Sequence, residues 1–356
     1  MKFKNAKMMI KRVGAGILTA ALLTGLAGCG SGSGEQTPSS TSAGTDNAGT
    51  SENGGKEAIT VRVADMSAWN NAYFEYGEAR GLLDEFFASD LYDIDFSITS
   101  FANGPAENEA FAANELDFAA MGSMPSVTGA ANDFGYKIVA AADIGPFSGA
   151  LVVLADSGIT SIEELRGKKV GTILGGGLHY YTGRLLETAG LTYDDVELIN
   201  GGNETPASLR AGELDAGVIS LSSAQELIDE GTVVLLADRI DGYMGFWGVC
   251  VSDDILENRP DLGATLVKGY DSLGRYIDEN KEDYLAYLNE LTGVETDSIL
   301  ATWDNTEYGV YSMEDEELYS NAAELLSWMQ DQDMITDTSL TLEDITDFSV
   351  AQKAGF

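Results

Sequence analysis

From residue 59 onward the chain switches repeatedly between two hydrophobic periods. Residues 59–65 read Ile-Thr-Val-Arg-Val-Ala-Asp, apolar and polar in turn, which is the period of a strand. Over residues 73–87 the spacing becomes helical, with Phe74, Leu82, Leu83, Phe86 and Phe87 as its apolar positions. Alternation returns at 94–101, and residues 118–121 and 137–142 predict further short strands between helical stretches. A second set opens with Ser161-Ile162-Glu163-Glu164, read as a capping box that starts a short helix. It continues with strands at 170–174, 196–200, 216–220 and 233–237 and helices around 178–189 and 207–211. From Pro260 the pattern is helical to near the end, with amphipathic runs at 262–277, 284–291 and 318–329. Strands alternating with helices predict βα units and a largely parallel sheet, hence an α/β fold.

The two sets echo each other. Asn103-Gly104-Pro105 leads through a helical stretch into Ala113-Asn114-Glu115-Leu116-Asp117-Phe118-Ala119, and Asn200-Gly201-Gly202 leads into Ala211-Gly212-Glu213-Leu214-Asp215-Ala216-Gly217. Each copy turns through Glu-Leu-Asp into a small-residue strand that stops at a polar segment, Gly122-Ser123 or Ser220-Leu221-Ser222. Chance similarity of two helix-turn-strand units is one reading; two lobes on one βαβ plan is the other. Ligands of open α/β sheets bind beyond the carboxyl ends of the strands, so two such lobes facing each other make one cleft.

The first 29 residues bear on the compartment. Lys2, Lys4, Lys7, Lys11 and Arg12 precede an apolar run over residues 13–26. That run is short of the roughly 20 residues that a spanning helix needs, and it suits the core of a signal peptide. Leu26-Ala27-Gly28-Cys29 resembles the bacterial lipobox, which implies a diacylglyceryl group on the Cys29 thiol. Residues 30–57 are rich in Gly, Ser and Thr with almost no apolar content, too little to offset the entropy of ordering them. The expected organisation is a lipoprotein signal peptide at 1–28, then a lipidated Cys and flexible tether at 29–57. The tether's random-coil reach is roughly 30 Å.

About 300 residues remain for a globular head, a length that suits two lobes better than one. Without the five basic residues of the leader, 15 basic residues face 58 acidic ones, a net charge of −43. Such a surface repels nucleic acid and anionic headgroups, so neither is expected as a partner. Cys250 is then the one thiol besides Cys29, and the chain has one His. A disulfide in the head and a Cys/His zinc site are both excluded. Cys250 falls in an apolar strand pattern at 247–251, where a buried, inert thiol is expected.

At this point the residues resemble a known family. Residues 101–105 (Phe-Ala-Asn-Gly-Pro), Glu109-Ala110, Leu116-Asp117-Phe118 and Gly122-Ser123-Met124-Pro125 look like the first-lobe signature of the solute-binding proteins for nitrate, taurine and aliphatic sulfonates. So do residues 165–171 (Leu-Arg-Gly-Lys-Lys-Val-Gly), Gly175-Gly176-Gly177-Leu178-His179-Tyr180, Ala189-Gly190-Leu191 and Asp194-Asp195-Val196. The resemblance runs from about residue 59 to 252. It implies a two-lobed periplasmic-binding-protein fold of type II, each lobe a mostly parallel sheet flanked by helices, joined by two crossover connections. Lobe 1 would comprise 58–148 and 246–356, with the C-terminal helices packed on it, and lobe 2 would comprise 149–245.

The implied activity is that of the extracytoplasmic substrate-binding component of an ABC importer. It would be a monomer that captures a small organic anion or zwitterion in the interlobe cleft and serves a permease and ATPase. Neither a cofactor nor a metal is implied. Carried over by position, the ligand contacts are Ser67, Trp69 and Asn70 after the first strand, Gly122, Ser123 and Met124, and Phe147 and Ser148 at the first crossover. The second lobe supplies Gly176, Gly177, His179, Tyr180, Ser220 and Ser222, and the return crossover supplies Tyr243, Phe246 and Trp247.

The residues themselves support part of this. Glycines opening a helix expose backbone N–H groups at its positive end, a seat for an anion that needs no basic side chain. A plain Gly-rich turn is the alternative reading of Gly175 to Gly177. His179 reads equally well as a cap or packing residue. The aromatic density of these loops suits an organic portion rather than a bare inorganic ion. Sulfonate and taurine binders often place a bulky pair such as Trp-Asp where this chain has Ser220-Leu221-Ser222-Ser223. A pyrimidine or thiamine-precursor-like heteroaromatic is therefore a second ligand class, with nitrate or bicarbonate third.

An enzyme is the main rival class. The related pyrimidine-making enzyme relies on His and Lys residues and a Cys-rich motif; this chain has no such motif and a single His, so no enzymatic activity is expected. Adjacent acids such as Asp194-Asp195 and Asp253-Asp254 read as solvated turns and helix starts. A ligand-sensing lipoprotein not coupled to transport would present the same head. If Cys29 carries the anchor, Cys29→Ser moves the protein from the membrane to the soluble fraction on cell fractionation; an unchanged membrane pool contradicts the lipobox reading.

Overall fold

The computed structural model describes residues 55–356 other than 68–70, 146–148, 241–244, 294–299, 301–302 and 304–305. The leader, Cys29 and nearly all of the tether lie outside the described residues. The first run of elements is β1 (Glu57–Asp65), α1 (Tyr73–Arg80), α2 (Leu83–Phe86), β2 (Tyr92–Ser100), α3 (Gly104–Ala112), β3 (Phe118–Gly122), α4 (Ser123–Ala131) and β4 (Tyr136–Gly145). The second is β5 (Gly149–Leu154), β6 (Lys169–Thr172), α5 (Gly177–Thr188), β7 (Glu197–Asn200), α6 (Thr205–Arg210), β8 (Ala216–Ser220), α7 (Leu221–Asp229) and β9 (Val233–Ala237). The chain then adds β10 (Gly245–Ser252), α8 (Asp253–Asn258), α9 (Pro260–Glu279), α10 (Lys281–Thr292), β11 (Glu307–Tyr311), α11 (Glu316–Asp331), α12 (Leu342–Ile345) and α13 (Ser349–Ala354).

These strands form two sheets, ordered β11-β4-β10-β3-β1-β2 and β7-β6-β8-β5-β9. In the first, β1 runs parallel to β2 and β3, while β10 is antiparallel to β3 and β4. In the second, β6 runs parallel to β7 and β8, while β5 is antiparallel to β8 and β9. The five-strand plan is therefore the same in both. In each sheet the one reversed strand inside that plan is the strand arriving from the other sheet, β10 or β5. Strands β5 and β10 thus occupy equivalent places in the two sheets.

Helices cover both faces of the first sheet. Leu266, Val267, Tyr270 and Leu273 of α9 pack with Val61, Val63, Phe118 and Val249 on one face. Leu318, Leu325, Leu326 and Met329 of α11 pack with Met121, Ile138 and Cys250 on the other. Each such fully buried side chain contributes about 1.5–3 kcal/mol relative to exposure. Cys250 is fully buried, and burial pushes its thiol pKa up, as expected for an inert thiol.

Three local expectations need correction. The single helix over 73–87 breaks at Gly81, which takes a left-handed φ of 68° that caps α1. The C-terminal region contains β11, an antiparallel edge strand on β4, inside what the periodicity gave as helix only. The capping box at Ser161 does not form. Residues Ile162–Leu165 make a 3-10 turn without a Ser161 side-chain cap, and Glu164 Oε2 accepts the N–H of Thr160 at 2.7 Å instead.

The Glu-Leu-Asp echo has a physical counterpart. Asp117 Oδ2 accepts the backbone N–H of Arg62 in β1 at 2.8 Å, and the Asp117 N–H donates to the Arg62 carbonyl at 2.9 Å. Asp215 repeats both bonds with Lys169 of β6, at 2.9 and 3.0 Å. The turn before each Asp holds a left-handed residue, Asn114 at φ 55° and Gly212 at φ 69°. Each carboxylate thus locks the entry of a central strand to its parallel neighbour. In the first sheet the Arg62 side chain adds a salt bridge to Asp117. Asp117→Ala is expected to cost about 2–3 kcal/mol and Asp215→Ala about 1 kcal/mol, because only the former strands a guanidinium partner. Urea unfolding of the two variants checks the order; equal losses would contradict it.

Candidate functional site: a pocket where helices start

The carboxyl ends of β6, β7 and β8 open onto three helix beginnings. The turn after β6 enters α5 at Gly177, the 3-10 turn Gly202–Glu204 after β7 enters α6, and Ser220 at the end of β8 caps α7. Between them lies a pocket of about 200 Å³ lined by Ile173, Leu178, Gly202, Asn203, Pro206, Val218, Ile219, Ser220 and Ser223. None of these lining residues is charged. Apolar wall comes from Ile173, Leu178, Pro206 and Val218, and polarity from hydroxyls and an amide. Ser220 Oγ lies 3.0 Å from both Ser222 Oγ and Ser223 Oγ and accepts the Ser223 N–H at 3.2 Å.

Part of the glycine turn is spent on its own structure. Gly175 has φ 79°, its N–H donates to His179 Nδ1 at 3.2 Å, and the Gly176 N–H donates to the Ile173 carbonyl at 3.1 Å. First-turn amides have no intrahelical acceptor, so Gly177 and Leu178 are the donors that α5 can offer a ligand. A Cβ at Gly176 would stand 3.2 Å from Ile173 Cγ2 and 3.4 Å from its carbonyl oxygen. The first lobe meets this rim: Asn203 Nδ2 donates to the Ala102 carbonyl at 3.1 Å, beside the start of α3.

The structure sorts the residues carried over from the resemblance. Ser220 lines the pocket, Ser222 is bonded to it, and Gly176 and Gly177 form the adjacent turn. His179 is buried and serves the turn through Nδ1, so its ring is a brace rather than a lining side chain. Tyr180 is 2% exposed and stacks edge-on against Trp328, away from the pocket. Met124 and Phe246 are buried in the first-lobe core, and Trp247 packs against the core clusters of both sheet faces. Ser123 is buried, with its carbonyl accepting Ser126 Oγ, and Gly122 precedes α4 as its N-cap. Ser67 Oγ donates to Glu75 Oε2 at 2.5 Å and lies 2.8 Å from Ser100 Oγ. Trp69, Asn70, Phe147, Ser148 and Tyr243 lie outside the described residues.

Asn203 and Pro206 line the pocket but were not among the sequence candidates. The signal was present: the echo places residues 201–206 just beyond the carboxyl end of β7, where the sheet rule puts ligands. Among the described residues, no group of three or more His, Cys, Asp or Glu is placed to hold a metal ion. Nor, among them, is any helix long and apolar enough to cross a membrane.

Burial pulls the His179 pKa down to about 4. An unfolded His titrates near 6.5, so between about pH 6.5 and 4 the unfolded chain binds a proton that the folded chain refuses. Stability from this group is full above pH 6.5 and is lost as pH falls, by about 3 kcal/mol in total. Urea unfolding at pH 7.5 and 4.5 is expected to show a smaller acid loss in His179→Asn than in the unmodified chain. Equal losses would contradict the assignment.

Residues 86–271 match the family model described as NMT1/THI5 like. A protein of Bacillus subtilis named as an aliphatic sulfonates-binding protein is 32% identical over 75 residues, 21% of this chain and 23% of that protein. A binding protein of Brucella abortus is 30% identical over 163 residues, 45% of this chain and 48% of that protein. The chain thus spans about half or less of the length of these curated relatives. Among solved structures, the alkanesulfonate-binding protein SsuA from Xanthomonas axonopodis pv. citri bound to MOPS superposes with a TM-score of 0.72 at 17% identity, covering 82% of this chain and 99% of that one. That likeness bears out the two-lobed binding-protein fold. With its model matched over more than half of the sequence, the chain belongs to the NMT1/THI5-like family.

Proposed function

We propose that the chain is the extracytoplasmic substrate-binding component of an ABC importer. It takes a small organic anion or zwitterion of the sulfonate or taurine kind between its lobes and delivers it to a permease. The lobes comprise residues 58–148 with 246–356, and 149–245. Cys29 anchors the protein to the outer face of the cell membrane through its lipid, and the tether lets a monomeric head reach the permease. The named relatives that bind sulfonates support the ligand class.

The observation that carries the reading is the convergence of three helix starts on a pocket without a charged side chain. Backbone N–H groups and hydroxyls there supply donors, and the helix dipoles supply positive potential, without a basic residue. The apolar wall of Ile173, Leu178, Pro206 and Val218 suits an organic portion. A head that is strongly acidic overall is no obstacle, because salt screens surface charge over about 8 Å. Burial also pushes the Asp65 carboxyl, at the carboxyl end of β1, up to about 8.

A thermal-shift screen over sulfonates, taurine-like zwitterions, pyrimidines and inorganic anions tests the ligand class. Ligand at 100 times its dissociation constant adds about 2.7 kcal/mol of stability. An organic sulfonate or zwitterion is expected to raise the melting temperature and to shrink the radius of gyration in small-angle scattering. Gly176→Val, which crowds Ile173, is expected to abolish both responses. A stabilising pyrimidine with inert sulfonates would overturn the ligand class, and a full response in Gly176→Val would move the seat elsewhere.

A further inference from the structure

Beyond the pocket, the two lobes touch through an aromatic contact that reaches back to the glycine turn. Trp328 of α11 stands edge-on to Tyr180 at 4.7 Å between ring centroids and to Tyr193 at 6.0 Å. Its Nε1–H donates to Glu187 Oε1 at 3.0 Å, and Arg184 of α5 pairs with Glu324 of α11. The Tyr193 ring lies 5.0 Å from the His179 imidazole, and its hydroxyl donates to the His179 carbonyl. His179 Nδ1 in turn accepts the Gly175 N–H.

Two features show that these groups are fitted to one another. Gly183 of α5 has no room for a side chain: a Cβ there would stand 2.7 Å from Trp328 Cζ2 and 2.7 Å from Tyr193 Oη. Trp328 and Tyr180 are nearly buried, at 8% and 2% exposure, although α11 packs on the first sheet and α5 on the second. A buried interlobe contact of this kind has discrete packed and unpacked arrangements rather than a continuum.

We propose that Trp328 is a positioning residue for the ligand seat, acting through Tyr193 and His179 on the Gly175-Gly176-Gly177 turn. The turn keeps its binding shape only while α11 of the first lobe is seated on α5 of the second. Lobe arrangement and seat geometry are then one equilibrium: a ligand that prefers the formed turn also favours the clasped lobes. This rests on the reading that the turn is part of the seat.

Hydrogen-exchange mass spectrometry on the intact chain, reading peptides over residues 174–178, tests the relay. Trp328→Leu, Gly183→Ala and His179→Ala are each expected to speed exchange there by about tenfold, the scale of one lost hydrogen bond. Trp328→Phe and His179→Asn, which keep a ring or an acceptor, are expected to stay near the unmodified rate. Unchanged protection in β1 and β6 verifies folding, and Gly183→Ala serves if Trp328→Leu does not fold. Loosening confined to residues 184–193, with 174–178 still protected, overturns the proposal. A loosened turn that leaves ligand-induced thermal shifts intact supports the relay and counts against the seat reading alone.

Discussion

The carboxylates of Asp117 and Asp215 impose the constraint on which the rest of the molecule depends. Each binds the backbone N–H of a neighbouring parallel strand and so fixes the register at which a central strand begins. A strand of five residues entered at a fixed point also ends at a fixed point, at Gly122 in β3 and Ser220 in β8. The next helix starts there, so the clamp at one end of the sheet places a helix N-terminus at the other. A one-residue slip would turn every side chain of the strand to the wrong face.

Much of this was legible in the sequence, and the reasons differ by element. The echo around the two Asp residues is local chemistry repeated, so the shared plan of the two sheets could be read from it. Period-2 and helical spacing located most strands and helices. The break at Gly81 was hidden because apolar positions continue across it, and only the left-handed backbone ends α1. Strand β11 was hidden because it is a short edge strand whose pairing with β4 joins residues far apart in sequence.

The site was legible by position more than by role. Ser220 and the glycine turn, carried over by position from the resemblance, do fall at the candidate pocket. Position could not tell that Tyr180 and Met124 point into packed interiors, since a helix start exposes one face and buries the next. His179 is the sharper case. The resemblance named it as a ligand contact, but its ring is committed to the Gly175 amide, and burial keeps it neutral. A residue that braces a backbone turn occupies the same sequence position as one that would touch a ligand.

Under the proposed reading, a neutral pocket rimmed by helix starts holds an anion in a head with many acidic residues. The donors are fixed by the fold, so no cationic side chain has to be immobilised or desolvated. A crystal structure of the chain with the most stabilising compound of the screen tests this most directly. The account requires the anionic group within hydrogen-bond reach of the Gly177 and Leu178 amides and the Ser220 or Ser223 hydroxyl, with no Lys or Arg contact. An anion held by a basic side chain, or a ligand bound away from this pocket, would contradict it.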